Sequence, residues 1–168
     1  MGETTATGPR PRGGFTMLDA AALVAGSAVA SIHLRPLAQA GATPAEVVAA
    51  SPVFAALAAV AAGPFLWLIR RGAGVGDRLW AVLGLPWVLS AAILSASPRV
   101  DDGRARATLL IGLGLASFLA MATVWQTWVT PSVEDAGEAA SGPWTNRFGL
   151  ALAVAWPIQW GLALVVQG

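Results

Sequence analysis

The sequence predicts an all-α integral membrane protein, with five transmembrane helices in one compact bundle. Three observations lead there. Of 168 residues, 56% are hydrophobic and only 11% are charged. A soluble domain carries roughly 25% charged residues, so this chain lacks the charge to cover a water-facing surface. Next, the mean hydropathy of +0.66 is concentrated in five apolar runs of 18 to 23 residues. A hydrocarbon core of about 30 Å needs roughly 20 helical residues. Finally, the runs are continuously apolar, without the alternation of a strand. In lipid a helix satisfies its own backbone hydrogen bonds.

The first run, Phe15–Leu34, follows Arg10 and Arg12. Such a start resembles a secretory signal. The run is longer than the usual h-region of about 7–15 residues and ends without a small-residue cleavage site, so retention as a helix is expected. Residues 1–14 read as a disordered tail, and 15–168 as a single transmembrane domain. The second run is Pro52–Ile69. Ser51-Pro52 offers an N-cap followed by proline at the first helical position. Just before it, Thr43-Pro44-Ala45-Glu46 fits a capping box, which predicts a separate short surface helix over 44–50. The third and fourth runs are Leu79–Ala96 and Ala107–Val129. Glycine-rich polar turns at 70–78 and 97–106 bound them. A loop rich in acids and helix breakers at 130–146 leads to the fifth run, Phe148–Val166.

Tryptophan marks the interfaces, as amphipathic rings collect at headgroup depth. Five of the eight, Trp67, Trp80, Trp125, Trp128 and Trp144, fall near run ends, and Trp87, Trp156 and Trp160 fall deeper. Orientation follows from arginine, the only basic residue type. With the N-terminus inside, six arginines lie on the inner side and four on the outer. That predicts an N-in protein, placed in a bacterial cytoplasmic membrane.

Chemistry-bearing patterns are few. Cysteine is absent and His33 is the single histidine, at a helix end where an interfacial role is expected. No metal site, cofactor or catalytic residue is predicted, and the protein reads as non-enzymatic. The net charge of +1 gives no reason to expect a nucleic-acid partner. The candidate ligand site is Trp156-Pro157-Ile158-Gln159-Trp160. Pro157 permits a kink, Gln159 is an amide inside the membrane that needs a partner, and Trp156 and Trp160 share a face. With Trp87 these residues predict an aromatic pocket for a lipid-like ligand. Small residues at Ala22, Gly26 and Ala30, and at Thr108, Gly112, Ala116 and Ala120, predict close helix approach. It serves either the bundle itself or a membrane partner or second copy.

Gly14-Phe15-Thr16-Met17-Leu18-Asp19 resembles the processing segment of type IV prepilins. The resemblance implies cleavage after Gly14, a methylated Phe15 terminus, and Asp19 in the role of the acid that pairs with a neighbouring subunit. That family has glutamate at the acid position and a single apolar helix. The whole chain also resembles small multi-pass bacterial membrane proteins that open with F-T-x-L-D-A, a resemblance that carries no activity. In outline it is similar to the tryptophan-rich sensory/translocator family, which binds porphyrins and sterols, but it has no tyrosine and lacks that family's proline–tryptophan signatures. The expected role is an accessory or structural membrane subunit. The alternatives are a binder or transporter of a lipid-like ligand and a pilin-like protein.

Overall fold

The structure, a computed structural model, describes residues 15–70, 74–96, 102–128 and 143–167. The expected N-terminal tail with Gly14, most of the expected 130–146 loop, and parts of both glycine-rich turns lie outside the described residues. All elements among the described residues are helical: α1 (Met17–His33), α2 (Arg35–Gln39), α3 (Pro44–Arg70), α4 (Val75–Ala96), α5 (Asp102–Trp128), α6 (Trp144–Val154) and α7 (Trp156–Gln167).

Three helices, α3, α4 and α5, are long and apolar enough to cross a membrane, and a fourth crossing arises if α6 and α7 form one span. The expected five spans are therefore met only in part. α1 is apolar but has 17 residues, about 25 Å at 1.5 Å per residue. The expected fifth span is broken, with α6 and α7 meeting at 71°. The break has a local cause. The Ala155 amide closes α6 on the Ala151 carbonyl, and Pro157, at the second position of α7, has no N–H to continue the ladder.

The expected boundary at Ser51-Pro52 is absent, and α3 runs unbroken from Pro44 to Arg70. Proline removes the N–H that would bond to the Val48 carbonyl four residues back. Ser51 Oγ donates to that carbonyl at 2.7 Å and replaces the lost bond. The Thr43–Glu46 capping box does form, and it starts the long helix rather than a separate short one. Glu46 Oε2 accepts from the Thr43 amide at 2.7 Å, and the Glu46 amide donates to Thr43 Oγ1 at 3.4 Å. At 27 residues α3 is about 40 Å long, more than the hydrocarbon thickness, so it tilts or extends past it.

α4 is the central helix, and its sequence shows why. It supplies Trp87 and Ala91 to a core with α1, α3, α5 and α7, Trp80 to a second with α1 and α3, and Leu79 and Leu83 to a third with α5. Both small-residue rows lie on contacts within the chain. Ala22, Gly26 and Ala30 are buried, and a methyl group on Gly26 would overlap the Ala58 carbonyl of α3. On α5, Gly112 faces Pro86, and Ala116 and Ala120 pack on α4. The outer side of α5 carries exposed Leu110, Ile111, Leu115, Phe118 and Leu119, as a lipid-facing surface requires.

Candidate functional site

Two polar assemblies sit at opposite ends of α1. The first is an ion pair. Thr16 caps α1, and its amide donates to Asp19 Oδ2 at 2.8 Å. Arg70, at the end of α3, donates from Nε to Asp19 Oδ1 at 2.9 Å and from Nη2 to Oδ2 at 2.6 Å. This two-point pairing is the strong form of arginine–carboxylate contact. The guanidinium also lies 5.9 Å from the Trp144 ring centre and reaches Thr145 Oγ1 at 3.4 Å. At the next residue, Asn146 Oδ1 accepts from the Gly76 amide at 2.7 Å and ties α6 to α4. Phe15 stacks loosely on Trp144, with centroids 6.1 Å apart. Beside them an apolar groove of about 380 Å³ opens between Phe15, Trp80, Trp144 and Phe148. Asp19 is thus engaged within its own chain.

The second assembly is centred on Trp87, which is fully buried. His33 Nε2 lies 3.1 Å from the Trp87 carbonyl oxygen, and the two rings meet edge to face at 5.3 Å. A carbonyl only accepts, so Nε2 carries the hydrogen. His33 is 4% exposed, packed within the bundle at the end of α1. On the other side of the same core, Trp156 and Trp160 meet edge to face at 5.8 Å and pack against the cluster that holds Trp87. The expected shared face on α7 is therefore present, and Gln159 lies between these rings in sequence, 3% exposed.

Buried polar atoms without a partner among the described residues occur in both regions, Trp144 Nε1 and Asp77 Oδ1 on the side of the ion pair and four more on this side. Trp87 Nε1, both amide atoms of Gln159, and His33 Nδ1 are buried without a partner among the described residues. Buried polar atoms are nearly always paired, so each exception needs a cause. Here two donors and two acceptors are left open, on α1, α4 and α7. A cavity of about 400 Å³ is lined by His33, Glu46 and apolar side chains from α1, α3 and the end of α7.

The sequence brought Trp87, Trp156, Gln159 and Trp160 forward; Trp156 and Trp160 pack against the core that holds Trp87, and Gln159 is buried on the same helix as those two rings. It did not bring forward His33 as part of that core. It also missed the Asp19–Arg70 pair, for which a signal existed. With the N-terminus inside, the start of the first run and the end of the second lie on the same membrane side. Asn146 and Thr145 had no signal, since their roles depend on where α6 crosses α4. Among the described residues, no three of His, Asp and Glu gather as a metal site requires. Compared with known proteins, the chain matches no family model, no curated protein and no solved structure.

Proposed function

We propose that this chain is a non-enzymatic protein of a bacterial cytoplasmic membrane that holds a small amphiphilic molecule in the bundle around Trp87. The supporting observation is the set of open hydrogen-bonding atoms on Trp87, Gln159 and His33. Gln159 is too enclosed for lipid or a neighbouring subunit to reach its amide. No partner for these atoms lies among the described residues, and an occupant inside the bundle, either a ligand or ordered water, would pair them. A ligand-free accessory subunit is the second reading, favoured by the long exposed face of α5. Pilin-like assembly is disfavoured, because Arg70 of the same chain holds the acid that a neighbouring subunit would need.

Thermal unfolding of the full-length protein in detergent, with a panel of lipids and porphyrins, tests the proposal. A bound ligand at a hundredfold excess over Kd stabilises by about 2.7 kcal/mol, a rise of about 5–10 °C for a chain of this size. Gln159→Leu is expected to abolish most of that rise. The unliganded variant should be as stable as wild type or more so, because leucine removes an unpaired amide whose burial costs about 1–3 kcal/mol. If wild type responds to no member of the panel, ordered water fills the site and the second reading takes precedence.

The same proposal includes five crossings with α1 and the α6–α7 pair as spans, N-terminus in the cytoplasm and C-terminus outside. A reporter fused after Gly168 should be active only on the outer side. Activity in the cytoplasm would mean an even number of crossings or the opposite orientation.

A further inference from the structure

His33 is the one histidine of the chain, and the fold seats it in a place that suits only one of its two charge states. It ends α1, is 4% exposed, and its ring stands edge to face on Trp87 of α4 at 5.3 Å. Nε2 donates its hydrogen to the Trp87 carbonyl at 3.1 Å. Nδ1 is buried and has no partner among the described residues. In the neutral ring Nδ1 carries only a lone pair, whereas in the charged ring it carries a hydrogen as well. A buried charge with an unmatched donor is far more costly than a buried neutral acceptor. The seat therefore holds the neutral ring and rejects the charged one.

Charged groups stand at the edge of this seat. The core around Trp87 is apolar, with Val29, Leu57, Val60, Leu109 and Leu113. On α4 the charged residues, Asp77 and Arg78, stand at the start of the helix, and α7 has none. α2 brings Arg35, and the start of α5 brings Asp102, Arg104 and Arg106, with all three arginines exposed. α3 brings Glu46, which is exposed and already accepts from the Thr43 amide and hydroxyl. At the far ends of α1 and α3, Asp19 and Arg70 hold each other. Among the described residues no acid is bonded to the His33 ring. We propose that His33 is an acid-sensitive latch: neutral, it fastens the end of α1 to α4, and protonated, it lets go. This goes beyond the ligand reading and does not depend on it. In the N-in orientation proposed above, the end of α1 lies at the outer face, so the latch answers to protons outside the cytoplasm. The direction follows from linkage. A free histidine takes up its proton at about pH 6.5. The released ring can do so and the seated ring cannot, so release gains up to about tenfold for each pH unit below that value.

The test uses the full-length protein in detergent micelles. Between about pH 7.5 and pH 5.5 the unfolding constant of wild type should rise roughly tenfold. Carboxylates stay largely charged in that window, since they take up protons near pH 4. His33→Gln keeps a donor for the Trp87 carbonyl and cannot titrate, so its unfolding constant should stay level. A second measurement needs no variant. With one histidine, the ring gives one nuclear magnetic resonance signal, which reports its charge directly. The signal of the seated ring should stay at its neutral position down to about pH 5.5, one unit below the free value. A separate signal of a charged ring should grow on acidification while the signals of α3 and α5 stay folded. That pattern establishes release of the end of α1 alone, even if His33→Gln folds poorly. The inference is overturned by a seated ring that charges near pH 6.5 in place, which would mean that water pairs Nδ1. It is equally overturned by a charged ring seen only when the whole bundle unfolds, by a wild-type unfolding constant that does not change with pH, or by the same rise in His33→Gln.

Discussion

Replacing Arg70 with methionine is expected to cost the folded protein about 3 kcal/mol, and replacing Asp19 with asparagine markedly less. The difference lies in where each charge is left. The Asp19 side chain is 1% exposed and that of Arg70 is 20% exposed. Without Arg70, a carboxylate stays inside the bundle with only the Thr16 amide as partner. Removing one member of a buried pair typically costs about 3–5 kcal/mol, and the partial access of water to Arg70 puts this case at the low end. Without the Asp19 charge, Arg70 can extend its head to interfacial water, keep its contact with Trp144, and lose mainly the pair itself. Asparagine can also still accept from the Thr16 amide and preserve the cap. The double variant Asp19→Asn/Arg70→Met should recover most of what Arg70→Met loses, because no charge is then stranded. Unfolding midpoints of the four proteins in mixed detergent–SDS micelles would measure this cycle. Equal losses in the two single variants would mean that water reaches Asp19 in the folded bundle.

That ion pair also shows what one sequence can convey. Each apolar run announced a helix, because lipid leaves the backbone no other local way to satisfy itself. The small-residue rows announced close approach, and α1 on α3 and α5 on α4 provide it. Local rules failed where a single side chain reversed them. Pro52 is a stop signal by its missing N–H, and Ser51 Oγ supplies the replacement bond. Long-range facts were legible only as halves. Asp19 and Arg70 are 51 residues apart, and each alone has an ordinary explanation, one as a helix-entry acid and the other as a positive-inside arginine. The candidate site followed the same division. Trp156 and Trp160 were readable from their four-residue spacing and Gln159 as an amide within an apolar run, whereas the contact of His33 with Trp87 depends on how α1 packs against α4. The 71° break at Ala155 was readable as a proline kink but not in size, which depends on α6 lying against α4.

The contact of α6 with α4 yields a second large effect, of opposite sign at two kinds of glycine. Gly149→Ala is expected to cost about 2–3 kcal/mol or more. The two helices cross so closely that a methyl group on Gly149 would overlap the Gly76 carbonyl, and one on Gly76 would overlap the Asn146 carbonyl. Backbone cannot rotate away as a side chain can, so α6 must move off α4. Overpacking of this kind costs about 1–3 kcal/mol. The displacement would also stretch the bond from the Gly76 amide to Asn146 Oδ1, which is buried and worth roughly 1 kcal/mol. Thr145 and Trp144 would move with α6 and loosen their hold on Arg70. Gly114 and Gly161 provide the contrast, since a methyl group at either meets nothing within 4 Å. There alanine should leave the protein unchanged or stabilise it by up to about 1 kcal/mol through helix propensity alone. Thermal midpoints of Gly149→Ala, Gly114→Ala and Gly161→Ala in one detergent would show the pattern. If all three moved together, α4 and α6 would cross with room for a methyl group, and the close approach of Gly76 and Gly149 would have to be given up.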